Sequence, residues 1–346
     1  MSRAPCTVGY YVHHVGRGHL QRARSLAAHL AATGEGAVTA LSSLERPSDW
    51  PGQWVDLARD DDGEPVRPTA GGRLHWAPLG HAGLRSRTAA ISAWIERARP
   101  DVVVVDLSVE VLLLARLHGI PTVGVVLPGH RDDAAHLLGF EVADALVAFW
   151  PPRAEGMLRG VPDAVAARVH RLGALSRLPV DDGPPPPAAG GRHALLLLGT
   201  GGDAATAAAA TRAAERVRGW TWTVLDGTPE RWVEDPSAAM RAADVVVTHA
   251  GQNAVAEVAA ARRPAVVVPQ PRPHAEQATA GSVLAGGWPA VVSREWPSDA
   301  ADLDRAAGLD GRAWAEWCDG RAVERFAAVV TGTAGTSATT GTGERG

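Results

Sequence analysis

The chain has 346 residues, 46% of them hydrophobic and 21% charged, a globular composition long enough for two domains and unlike that of a disordered chain. Its formal net charge is -4, from 34 basic and 38 acidic side chains, so no basic excess exists to neutralise a nucleic-acid backbone and no nucleic-acid partner is expected. Every basic residue is Arg, and the only cysteines, Cys6 and Cys318, cannot build a disulfide framework or a thiolate metal cage; a cytoplasmic location fits.

The first residues lack the basic, apolar and small-residue order of a secretory signal. The most apolar region, 102–127, is cut by Asp106, Glu110, Arg116 and His118, so no run of about 18 apolar residues could span a membrane. Peripheral contact at the inner membrane face stays compatible with this.

In chain order, apolar bursts at 7–12, 101–105, 122–126, 145–148, 194–198, 222–225, 245–247 and 265–268 alternate with longer Ala/Leu stretches of helical period. Continuous Val/Leu runs suit strands covered on both faces, which gives an α/β class with doubly wound parallel sheets. Residues 59–72, rich in Asp, Gly and Pro, are expected as an exposed loop. Within it Asp60-Asp61-Asp62 reads as a solvated turn, although it contains the Asp-x-Asp pattern of some metal-dependent transferases. Four consecutive prolines in 179–191 can continue neither a helix nor a central strand, and mark a semi-rigid linker. An N-terminal domain, 1–178, and a C-terminal domain, 192–330, are expected on either side. Trp314, Trp317 and Phe326 are placed on one helix as apolar packing, able to cross back onto the N-terminal domain. The tail, 331–346, holds only Thr, Gly, Ala, Ser, Glu and Arg and is expected to be disordered.

Ligands of open α/β sheets bind beyond the carboxyl ends of the strands, and three segments fall there. After the first strand, His13-His14-Val15-Gly16-Arg17-Gly18-His19 opens a helix. Gly16 and Gly18 allow a tight turn, the helix start offers free N–H groups, and His19 has the pKa range for proton transfer. Gly199 to Asp203, with Gly201 and Gly202, repeats that layout in the second half. Without any Lys it is no Walker loop, and neither turn has the full dinucleotide pattern. The third segment runs from Thr248-His249-Ala250-Gly251-Gln252-Asn253 to Glu257, followed by His274-Ala275-Glu276-Gln277. A helix start rich in Gly, Gln and Asn suits a diphosphate. Glu257, nearly two turns further in, suits a ribose diol, and Glu276 with Gln277 suits sugar hydroxyls. Each of these alone is equally an ordinary turn, cap or solvated helix residue; the combination points to a ligand. Arg131, Asp132, Asp133 and His136 follow a strand end and are candidates for the acceptor side of a cleft, or a polar surface loop.

The third segment resembles the nucleotide-sugar signature of GT-B glycosyltransferases. It is most similar to the family 28 group that includes the lipid-linked N-acetylglucosaminyltransferase of peptidoglycan synthesis, and more distantly to plant and antibiotic UDP-glycosyltransferases. The turn at Gly16 to His19 and the one at Gly199 to Asp203 resemble that family's glycine loops. The resemblance implies a GT-B architecture of two Rossmann-like domains facing across a cleft. It implies Trp232 and Val233 at the base, Glu257 at the ribose, His249, Gly251, Gln252 and Asn253 at the diphosphate, and Glu276 and Gln277 at the donor sugar. His19 would be catalytic, with Asp106 or His136 as other candidate bases, and Asp106, Arg131 and His136 on the acceptor side. Ala254 stands where a Ser or Thr often donates to phosphate, Ala280 replaces a common Asn, and Arg17 makes the first loop less glycine-rich.

The implied activity is inverting, metal-independent transfer from a nucleotide sugar, UDP-linked by resemblance, to a hydroxyl on a small-molecule or lipid-linked acceptor. No cofactor is implied beyond the nucleotide sugar as co-substrate. A nucleotide-sugar hydrolase of the same superfamily is the alternative enzyme, since Gly16-Arg17-Gly18-His19 with Arg22 comes near its loop. A non-catalytic sugar-nucleotide-binding protein is the third reading.

Overall fold

The computed structural model describes residues 4–14, 18–183, 192–199, 204–228 and 230–339. The first half contains β1 (Cys6–Val12), α1 (Gly18–Thr33), β2 (Gly36–Ser42), β3 (Trp54–Asp56), α2 (Ala82–Ala98), β4 (Val102–Asp106), α3 (Val109–Leu117), β5 (Thr122–Val126), β6 (Gly129–His130), α4 (Ala134–Val142), β7 (Ala145–Ala148), β8 (Leu158–Arg159), α5 (Asp163–Ala166) and β9 (Val169–Arg171). The second half contains β10 (His193–Leu197), α6 (Ala204–Ala214), β11 (Thr221–Leu225), α7 (Ser237–Ala242), β12 (Val245–Thr248), α8 (Gln252–Ala260), β13 (Ala265–Val267), α9 (Glu276–Leu284), β14 (Ala290–Val292), α10 (Ala301–Ala307) and α11 (Ala322–Thr339).

Two parallel sheets carry these halves, in the orders β3-β2-β1-β4-β5-β7-β9 and β11-β10-β12-β13-β14. The apolar bursts form their central strands because Val, Leu and Ala side chains there are covered on both faces. Strand order reverses at β1/β4 in the first sheet and at β10/β12 in the second. Each reversal opens a crevice past the strand ends, where connections run to opposite faces. Val12 pairs with Asp106 at the first and Leu197 with Thr248 at the second. Those four positions frame the cleft.

Local patterning sets what faces it. In α1 the buried residues are His19, Arg22, Ala23, Leu26, Ala27 and Leu30, a single stripe at spacings of three and four. His19 and Arg22 are therefore turned toward the sheet with the leucines, not toward water. Among the described residues no helix is long and apolar enough to cross a membrane.

Four expectations need correction. Residues 331–339 are not a disordered tail: they continue α11, whose Val330 and Phe326 are fully buried, while 340–346 lie outside the described residues. The burial of that apolar face outweighs the low-complexity composition. The same helix packs on α1, β4, β5 and β7, so it belongs to the first sheet rather than to the C-terminal domain. Nor do Trp314, Trp317 and Phe326 share a helix. Trp314 sits in a 3-10 turn (Gly311–Glu316) and packs with Trp317 on Trp288, whereas Gly320, at φ 77°, breaks the chain before α11 begins. In the 59–72 loop, Asp60 is buried and bonded to Arg87 rather than solvated. The prolines 184–187 of the expected linker lie outside the described residues.

Phe326 meets Tyr10 edge-on at 6.4 Å and Phe149 at 5.1 Å. Phe326→Ala is expected to lower stability by about 3–5 kcal/mol, read as a reduced denaturant midpoint. An unchanged midpoint would show that α11 does not hold the first sheet.

Candidate active site

Asp106 ends β4 and is fully buried. Arg22 grips it with two bonds, Nε to Oδ2 at 2.7 Å and Nη2 to Oδ1 at 2.9 Å, and the Tyr10 hydroxyl donates to Oδ2 at 3.1 Å. His19 Nδ1 lies 2.8 Å from Oδ1. Burial opposes the charge on Asp106, but Arg22 and His19 outweigh it and hold the carboxyl well below its usual range. An ionised carboxylate only accepts, so Nδ1 carries the ring hydrogen. Nε2 is then the acceptor, the arrangement of a general base with its orienting acid. The 2.9 Å approach of Arg22 Nη2 to the same Nδ1 is thus a contact between donors, not a second bond. Asp106 is neither a base nor an acceptor-side wall, contrary to expectation: every approach to it is filled. His13 packs beside His19 at 5.8 Å, and burial with the neighbouring imidazole pushes it down to about 4. Gly16 lies outside the described residues. Gly18 starts α1 and faces the other domain, where a Cβ would come 3.3 Å from Asn253 Nδ2.

Across the cleft, α8 begins at Gln252 with no side-chain cap, leaving the first-turn N–H groups without intrahelical acceptors. Gly251 is corrected: its N–H donates to His249 Nδ1 at 2.9 Å and so is taken. Burial pushes His249 down to about 4, a neutral ring suited to accept that bond. The amides left to face an anion are those of Gln252, Asn253 and Ala254. Gln252 also lines the cleft with a buried Nε2 that has no partner. Glu257 lines the cavity too, and burial raises its pKa against the opposing pull of Arg177, whose Nε bonds Oε1 at 2.7 Å. Gln277 Oε1 accepts from Gln270 N at 2.9 Å. Glu276 opens α9 with its pKa raised by burial, against Arg131, Arg22 and His19. Trp232 and Val233 line the rim, 43% and 38% exposed. Gly201 and Gly202 lie outside the described residues.

These residues line one cavity of about 1400 Å³ between the sheets, which also takes in Arg131 and His136. Residues 231–280 match the glycosyltransferase family 28 C-terminal domain. Among solved structures, the chain is similar to MurG of Acinetobacter baumannii at 17% identity and TM-score 0.62, over 95% of this chain and 100% of that one. It is similar to the glycosyltransferase SnogD of Streptomyces nogalater at 18% and 0.60, over 97% and 98%. It is also similar to the spinosyn rhamnosyltransferase SpnG, solved with thymidine diphosphate, at 14% and 0.60, over 96% and 99%. No curated protein sequence matches it. The chain has the fold of GT-B glycosyltransferases, and its family 28 match is confined to the second half.

Sequence reasoning missed Arg177. Its Nη1 also donates to the Glu234 carbonyl, so one guanidinium ties Glu257 to the loop carrying Trp232 and Val233. No motif marks it; it is an isolated Arg just before the linker. Arg22 was detectable, since it falls on the buried stripe of α1 and an arginine there demands a carboxylate.

Asp106→Asn leaves Arg22 buried without a counter-charge and is expected to cost about 3–5 kcal/mol at pH 7. The folded pKa of Asp106 lies below its unfolded value. Its stabilisation is therefore complete above about pH 4 and drains as the pH falls further, so wild type and variant should converge in acid. Melting curves across pH check this; a constant gap down to acid pH would contradict it.

Proposed function

We propose that this enzyme transfers a sugar from a nucleoside-diphosphate donor, with UDP-sugars the first choice, to a hydroxyl of an apolar acceptor, with inversion and without a metal at the reaction centre. The observation that carries the reading is the pair His19–Asp106 on one wall facing the uncapped start of α8 on the other.

His19 Nε2 would take the acceptor proton as the oxygen attacks the anomeric carbon. The bond from that carbon to the diphosphate oxygen breaks, and its electron pair leaves with the diphosphate. The amides of Gln252, Asn253 and Ala254 are fixed before the reaction, so they stabilise the growing charge without reorganising. Imidazolium formed on His19 sits against ionised Asp106, which lowers the cost of the proton transfer. Base and leaving-group site stand on opposite walls, as a single inverting displacement requires. In the Asp60-Asp61-Asp62 triplet, Asp60 pairs with Arg87, and Asp61 with Arg59 and His14.

The acceptor side favours transfer over hydrolysis. Leu74, Trp76, Ile91, Val109, Leu112 and Phe140 line the N-terminal part of the cavity, a surface suited to a large apolar aglycone or a lipid-linked compound rather than to water alone. Glu257 with Arg177 supports a ribose site beside the base-facing loop. SpnG was solved with thymidine diphosphate, so dTDP-sugars are the rival donors.

His19→Ala is expected to lower kcat by about 10²–10⁴ with donor affinity retained. Glu257→Ala should raise the donor dissociation constant about tenfold or more through loss of ribose hydrogen bonds. A thermal-shift series with UDP-, dTDP- and GDP-sugars ranks the donors, because only a ligand of the folded state raises the melting point. Release of free sugar at the transfer rate without acceptor would establish the hydrolase instead.

A further inference from the structure

At the seam between the domains, His75, Asp133, His136 and His274 converge from three segments. His75 comes from the stretch between β3 and α2, Asp133 and His136 from the cap and first turn of α4, and His274 from the loop before α9. His75 Nε2 lies 3.1 Å from Asp133 Oδ1, His136 Nδ1 lies 2.5 Å from Asp133 Oδ2, and His274 Nδ1 lies 3.8 Å from that same oxygen. The His136 ring centroid is 4.3 Å from that of His75 and 4.7 Å from that of His274. One ligand atom each from His75, Asp133 and His136 falls within 4.8 Å of the others.

Each member is fixed by its surroundings. Glu110 Oε1 accepts the N–H groups of His75 and Trp76, at 2.7 and 3.0 Å. Asp133 caps α4 by accepting from His136 N at 3.0 Å. His274 and Ala275 are both left-handed, at φ 56° and 53°, and the His274 carbonyl presses on Gly129, where a Cβ would meet it at 2.3 Å. Only glycine allows that approach.

We propose that His75, Asp133, His136 and His274 bind a zinc-class divalent transition ion that ties the two domains together beside Glu276 and Gln277. Three imidazole nitrogens and one carboxylate oxygen are a donor set such ions favour. Tetrahedral bonds of ~2.0–2.2 Å place ligand atoms roughly 3.4 Å apart, so His75, Asp133 and His136 form the nucleus of the set and His274 must swing in to complete it. His136 Nε2 lies 3.1 Å from Arg131 Nη1 and accepts from it while Nδ1–H faces Asp133. An ion at Nδ1 moves the ring hydrogen to Nε2 and releases Arg131 from that contact. The ion bonds neither His19 nor the α8 amides. Its role is to hold the loop that opens α9, and it stands apart from the proposed displacement.

The test is a titration of the full chain with Zn²⁺ against a chromophoric chelator, and with Co²⁺ by visible absorption. One ion per chain, a tetrahedral Co²⁺ spectrum and binding about 10–100-fold weaker in both His75→Ala and His274→Ala are expected. Both side chains are 36% exposed, so these variants should fold, which circular-dichroism melting verifies. His14→Ala, from the separate grouping of His14, Asp60 and Asp61, should bind as wild type does. No saturable binding by wild type, or binding lost in His14→Ala and kept in the other two, overturns the proposal.

Discussion

The carboxylate of Asp106 is the constraint on which this cleft depends. A fully buried charge is costly unless its hydrogen-bonding capacity is met. Here Arg22 meets two sites, Tyr10 a third and His19 a fourth. The bonds that make burial tolerable also fix the tautomer of His19, which lines the cavity. Folding and the proposed chemistry thus draw on one cluster, anchored where β1 and β4 end side by side.

The second wall works by backbone rather than by charge. α8 starts at a glycine without a side-chain cap, and His249 removes one amide while leaving the next ones facing the cavity. Gly18 lies against Asn253, so the starts of α1 and α8 meet across the cleft with no bulk between them. Arg177 joins Glu257 to the 232–234 loop and makes one unit of the two places expected for ribose and base. α11 returns to the first sheet and fastens the end of the chain to the domain that began it.

The main strands were legible because continuous Val and Leu runs have few alternatives to a buried parallel sheet. Strand β2 escaped notice since its Thr39 and Ser42 dilute the apolar signal, although both are buried in place. Composition misled at 331–339, where small residues pack as a helix against a ready surface. The order of His249, Gly251, Glu257 and Gln277 along the chain was readable, for a strand-to-helix turn forces such residues toward one end of the sheet.

The sequence by itself determined the two-sheet α/β class and the strand-end positions of the candidate site, because these follow from local pattern and spacing. Only the tertiary structure decided partnerships: Asp106 with His19 and Arg22, Arg177 with Glu257, and His75 with Asp133, His136 and His274. Those residues are separated by as many as 199 positions, and nothing in local spacing encodes which distant side chain will meet a given charge. Sheet order and domain packing do that, through the requirement that each buried polar group find a partner.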